Sequence, residues 1–128
     1  MTKKVSNDIA IQVETQYQPE HSSPLNNKYL FAYRITITND NPFTVQLLKR
    51  KWFIFDAIGH NEVVEGQGVV GQQPILKTGE TYSYYSACPL RSPMGKMHGE
   101  YTLQRLDTEE ELTAEVPEFV MVATERLN

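Results

Sequence analysis

The chain has 128 residues, and 12 Lys plus Arg against 16 Asp plus Glu leave a net charge of −4. That length suits one domain, residues 1–128, with a core large enough to need no staples, and 40% hydrophobic with 22% charged residues is a globular rather than a disordered balance. The acidic balance argues against sequence-independent nucleic-acid binding, which rests on a basic face. Cys88 is the single cysteine, so no internal disulfide forms. No run approaches the roughly 18 apolar residues of a membrane span, and Met1-Thr2-Lys3-Lys4 leads into polar sequence rather than an apolar signal core. A cytoplasmic setting without a membrane partner is the expectation.

Along the chain, alternation at the period of a strand dominates. Ile9, Ile11, Val13 and Tyr17 share one face, and a loop rich in Pro, Ser, Asn and His follows from Pro19 to Asn27. Phe31, Tyr33, Ile35 and Ile37 then alternate with Ala32, Arg34, Thr36 and Thr38, a half-buried strand that stops at Asn39-Asp40-Asn41-Pro42. Val45 to Asp56 reads as a long strand, with a turn at Gly59-His60-Asn61 and a short strand from Glu62 to Glu65. Further strands are predicted at Thr81–Ser86, Tyr101–Leu106 and Leu112–Val122, the last bent at Pro117. Pro89 to Gly99, with Met94 and Met97, reads as a shaped loop, and Thr108–Leu112 as a single acidic turn. The pattern predicts an all-β antiparallel sandwich of the immunoglobulin or fibronectin-III kind, with about seven or more strands.

Gly66-Gln67-Gly68-Val69-Val70-Gly71 spells GxGxxG, a pattern that cradles a dinucleotide pyrophosphate when it follows a strand and opens a helix. Here Gln72-Gln73-Pro74-Ile75-Leu76 follows, an extended run, so a Rossmann use is excluded. Two readings stay open. One is a nest of amides at Gly66, Gly68, Val69, Val70 and Gly71, helped by Arg50 or Lys77, that holds a phosphate, a pyrophosphate or a nucleotide phosphate. The other is a bulged strand turning a sandwich corner, which Glu62 and Glu65 favour because they repel anions.

These strings resemble the ApaG family. The matching positions run Arg50-x-Trp52-x-Ile54-x-Asp56, Gly59, then Gly66-x-Gly68-Val69-Val70-Gly71-x-Gln73-Pro74-x-Leu76-x-x-Gly79. They continue through Tyr84, Ser86, Pro89-Leu90 and Pro93-x-Gly95-x-Met97-x-Gly99-x-Tyr101, so the resemblance spans about Asn7 to Val122. It implies a fibronectin-III-like sandwich, a bacterial cytosolic setting, and a family whose activity is unsettled but is associated with cobalt and magnesium resistance. It also implies a genomic neighbourhood with a dinucleoside tetraphosphate hydrolase, and eukaryotic relatives beside F-box modules that suggest protein recognition. Many members carry His where this chain has Lys51, which weakens a histidine-centred site on that strand.

On the strand through Arg50–Asp56, placing Leu48, Trp52 and Ile54 inward turns Lys49, Lys51, Phe53 and Phe55 outward, with Lys51, Phe53 and Phe55 a candidate partner surface, unless a bulge returns one phenylalanine to the core. Cys88 with His98 lacks an orienting third group and reads as a buried structural cysteine. His21, His60 and His98 fall in predicted loops without metal-site spacing, and Asp107–Glu111 reads as a solvated turn. No catalytic set, cofactor or metal site is expected. The leading expectation is a binding module for a protein partner, with a homodimer as one form, and the alternative is small-anion binding at the glycine run.

Overall fold

Two consecutive left-handed residues, Asn7 and Asp8 (φ 50° and 57°), join β1 (Thr2–Ser6) to β2 (Ile9–Tyr17). Positive φ at both central positions gives a turn whose twist matches that of the flanking strands, and Asn and Asp tolerate it best after glycine. The computed structural model describes residues 1–123. After two short 3-10 turns, Pro19–His21 and Pro24–Asn26, come β3 (Tyr29–Asn39), β4 (Val45–Asp56), β5 (His60–Gln67), β6 (Ile75–Leu76), β7 (Thr81–Leu90), β8 (Met94–Arg105) and β9 (Glu111–Val122).

The strands form two antiparallel sheets, β1-β2-β3-β7 and β5-β4-β8-β9, with β6 pairing to the first residues of β4. This is the predicted β-sandwich. Inward residues of β2 and β3 (Ile9, Ile11, Val13, Phe31, Ile35, Ile37) meet those of β4, β8 and β9 (Val45, Leu47, Met97, Leu103, Met121) in a core closed to water. At its centre Trp52 packs edge-on to Tyr33, Tyr101 and Phe119. Between the sheets the hydroxyls of Tyr84 and Tyr101 hydrogen-bond to each other. Burial above all pushes the proton affinity of both well above that of a free phenol, and their hydrogen bond adds to this at Tyr101 and opposes it at Tyr84.

Several strands exceed the sequence expectation, β5 and β7 by a few residues at their ends and β1 and β8 by more. β1 forms although Thr2–Ser6 carries Lys3 and Lys4, because pairing with β2 needs only its backbone. β8 begins at Met94, in the segment predicted as a loop, so only Arg91–Pro93 separates β7 from β8. Glycine misleads here: a Cβ at Gly99 would collide with the Lys51 carbonyl and crowd the Trp52 ring, so this glycine marks close strand approach rather than a turn. Pro117 lies where the β8–β9 register slips between Met97 and Gly99, a bulge that tolerates a missing N–H.

One side of the sandwich is closed and the other is open. β9 packs against β1 and β2, with an ion pair from Lys4 to Glu115 and a hydrogen bond of 2.8 Å from Asn7 Nδ2 to the Thr113 carbonyl. The opposite edges, β5 and β7, are not joined in this way, and a cleft runs between them.

Asn39 ends β3 and is wholly buried. Its Nδ2 donates to the carbonyls of Phe43 and Leu76, both at 2.9 Å. Its Oδ1 accepts from the backbone N–H of Asn41 at 3.0 Å and from Asn41 Nδ2 at 3.1 Å, and Asn41 Nδ2 also reaches the Asn7 carbonyl at 2.9 Å. Replacement Asn39→Leu keeps the volume and strands these groups, and is expected to cost about 3 kcal/mol or more in urea unfolding. By comparison Asn26→Ala, which removes one exposed hydrogen bond to Ser23, is expected to stay within about 0.5 kcal/mol.

Candidate functional site

At Leu48 the structure corrects the expected partition, since Leu47 is buried in its place and Leu48 is half-buried; from Lys51 onward it is the predicted partition of β4. Its register against β8 slips between Leu47 and Lys49, ahead of the aromatic residues, so the bulge leaves both phenylalanines outside. Trp52 and Asp56 are buried and Arg50 and Ile54 line the cleft, while Lys51, Phe53 and Phe55 face outward. Phe53 stacks on His98, its β8 partner, with ring centroids 4.9 Å apart and planes 15° apart. Lys51 Nζ lies 5.3 Å from the Phe53 centroid and Lys96 Nζ 5.6 Å from that of Phe55, within cation–π range. Val63 of β5, more than half exposed, pairs with Phe53 from the other side. Sequence reasoning misses His98 and Lys96 because their segment reads as a loop, and only strand register reveals them as neighbours of the two rings. Beside them a recess of about 530 Å³ is lined by Lys3, Lys4, Phe53, His98, Glu115 and Glu118 among others.

The glycine run sits elsewhere, at the end of β5. Arg50 lies across Gly66, and its Nη1 donates to the Gln67 and Gly68 carbonyls at 3.0 and 2.8 Å. Gly68 (φ 65°) gives its N–H to Leu48 O at 2.8 Å, and a Cβ there would strike the Gln72 carbonyl. Val69 is buried and exchanges hydrogen bonds with Gln72 (2.8 and 2.9 Å), which encloses Val70 (φ 49°) and Gly71 (φ 76°) in a tight two-residue turn. The amides of Gly68 and Val69 thus serve the chain's own carbonyls, and those of Val70 and Gly71 point to no internal acceptor among the described residues. No helix follows. β6 does, and it returns the chain to β4.

Cys88 lies on the inward face of β7 and His98 on the outward face of β8, in different sheets. Burial above all, then the negative charges of Glu62 and Asp56, push the Cys88 thiol up to about 12. His60 opens β5, His98 lies within β8 and His21 sits in a 3-10 turn. Among the described residues no group of three His, Cys, Asp or Glu is arranged to hold a metal ion. Asp56, expected only as a family position, is a buried node. Burial alone would raise its carboxyl, but donors from Ser92 Oγ and from the Arg91 and Ile58 amides outweigh it and hold Asp56 below the ordinary carboxylate range. In the acidic turn, Asp107 is paired with Arg105.

Fold and surface together define an all-β sandwich module with an aromatic outer face of mixed charge. A family model described as the ApaG domain matches residues 19–105. Protein ApaG of Acidovorax sp. (strain JS42) is 49% identical over 90% of this chain and 83% of its own length. The ApaG protein of Acidithiobacillus ferrooxidans is 46% identical over 91% of each. The crystal structure of a Bordetella pertussis protein described as ApaA superposes with a TM-score of 0.88 at 37% identity, covering 93% of this chain and 96% of that one. The chain belongs to the ApaG family.

Two outcomes follow from this geometry. Val70 is a β-branched residue held in the left-handed region, which costs about 1–2 kcal/mol. Val70→Asn, which writes Asn-Gly into the turn, is therefore expected to stabilise the protein by about 1 kcal/mol in thermal unfolding. The Cys88 thiol is expected to resist a disulfide reagent such as DTNB at pH 8 in the folded protein and to react at once in denaturant.

Proposed function

We propose that this ApaG-family chain is a binding module that recognises a partner protein through the outer face of the β5-β4-β8-β9 sheet. The observation that carries the reading is the Phe53–His98 stack, held at the surface with Phe55 and Val63 beside it. Aromatic side chains form the anchors of protein interfaces, and a polar rim orients the partner. Here that rim is mixed in charge, with Lys51 between Glu65 and Glu100 and Lys96 paired with Glu118, so a partner presenting apolar side chains flanked by groups of both signs matches it. Pairing of two copies through this face is the homodimeric form of the same reading. A cytoplasmic setting and a fibronectin-III-like ancestry fit a module of this kind. A small anion at Gly66–Gly71 has less in its favour: the amides of Val70 and Gly71, and the donors Arg50 has left over.

Phe53→Asp is expected to cost about 1–2 kcal/mol of stability and to leave the protein folded, since a half-buried ring loses its cross-strand pairs with His98 and Val63. It is also expected to abolish binding to the partner, found by affinity capture and then rebuilt from two purified proteins in calorimetry. If wild type and variant bind that purified partner equally, the face is not the site. Saturable amide shifts confined to Gly66–Gly71 during titration with pyrophosphate would favour the anion reading instead.

A further inference from the structure

Four strand edges terminate the two sheets, and one of them is unguarded. β1 carries Lys3 and Lys4, β5 carries Glu62 and Glu65, and β9 carries Glu111, Glu115 and Glu118 with the bulge at Pro117. Charges, bulges and prolines are the devices by which native sheets refuse further strands. β7, with the sequence TYSYYSACPL, has no charge in its 10 residues and runs against β3 in unbroken register from Thr81 to Leu90. Its one proline, Pro89, is next to last. In an antiparallel edge strand every second residue turns its N–H and C=O outward. Among the described residues, no hydrogen bond outside the β3 ladder reaches the backbone from Tyr82 to Ala87.

The cleft between the sheets opens beside this edge. It consists of two adjoining recesses of about 280 and 740 Å³ that share Ile54, Glu62 and Pro89. Trp52, Tyr33 and Ile54 wall the smaller one, and Arg50 lies in it. Lys28 and Arg91 line the larger. None of these three cations pairs with a carboxylate among the described residues. Of the acids in the cleft, Asp56 is already satisfied by Ser92 and the Arg91 amide, which leaves Glu62 against three cations and the imidazoles of His21 and His60.

We propose that the β7 edge and this cleft form a second binding site, which takes an extended acidic segment of a partner protein as an added strand. Main-chain hydrogen bonds to β7 supply affinity, and alternate side chains drop into the recesses, where an apolar residue meets Ile54 and Trp52 and an Asp or Glu meets Arg50, Lys28 or Arg91. A second copy of the chain is a poor occupant, because β7 brings no carboxylate to these cations. The site is separate from the Phe53 face and stands or falls without it.

The test selects peptides from a random library displayed on phage against the whole protein. The consensus peptide is then synthesised unmodified and with backbone N-methyl groups on one set of alternate residues or the other. Selected sequences are expected to alternate apolar residues with Asp or Glu. Methylation on the set facing β7 is expected to weaken binding about 30-fold or more, through loss of several main-chain hydrogen bonds, and methylation on the other set about threefold or less. Tyr85→Lys, at an exposed outward position, guards the edge and is expected to weaken binding without unfolding the protein. Lys28→Glu with Arg91→Glu is expected to remove the acidic preference, and Phe53→Asp to leave peptide affinity unchanged. Failure to enrich any peptide, equal tolerance of both methylation patterns, peptide shifts on the Phe53 face, or self-association of the protein through β7 in sedimentation each overturns the proposal.

Discussion

No water reaches the side chain of Asn39, so its amide must be satisfied from within the protein, and its partners come from every segment that changes direction around it. Two carbonyls, of Phe43 and Leu76, lie on the far side of the crossing from β3 to β4. Through Asn41 the network reaches the β1–β2 hairpin at Asn7, and the backbone of Asn39 bonds to Glu80 and Gly79 at the entry to β7. A chain that passes between two sheets exposes backbone groups that neither ladder can take up. One asparagine collects them. The approach of β6 to β4, and with it the path of the glycine run, depends on that knot.

The two sides of the sandwich have opposite characters because different strands occupy its edges. Where β9 meets β1 and β2, hydrogen bonds and an ion pair seal the layers. Where β5 faces β7 the layers stand apart, and the side chains between them are mixed in polarity: Arg50, Glu62, Tyr33 and Ser86 beside Trp52 and Ile54. Arg50 illustrates how sequence neighbours divide their work on a strand. It turns inward to hold the glycine turn, while Lys51 turns outward over a phenyl ring.

Alternation made the sandwich legible. Strands with one apolar face, such as Phe31–Thr38, carry their own signature because burial selects every second residue. The outward placement of Phe53 and Phe55 was equally legible from parity once Trp52 was placed inside. Four things were not. Edge strand β1 draws on backbone pairing and leaves no apolar pattern in Thr2–Ser6. The first half of β8 was masked by Gly95 and Gly99, where glycine serves the closeness of two strands and not a reversal of the chain. The neighbours of Phe53 and Phe55, His98 and Lys96, depend on the register between β4 and β8, a long-range property that no local window contains. For the same reason the cleft was invisible, since its walls come from β3, β4, β5 and β7.

The paired hydroxyls of Tyr84 and Tyr101 act as a dowel between the layers. Apolar packing alone lets two sheets slide with little change in buried area, but a slide of one residue here would separate the phenols in a medium with nothing else to accept their protons. The layers therefore have one alignment. Because Tyr84 lies two residues before Ser86 on the strand that borders the cleft, the width of that opening is set before any guest arrives. A strand entering there would find the gap already formed and give up little of its binding energy to shape it.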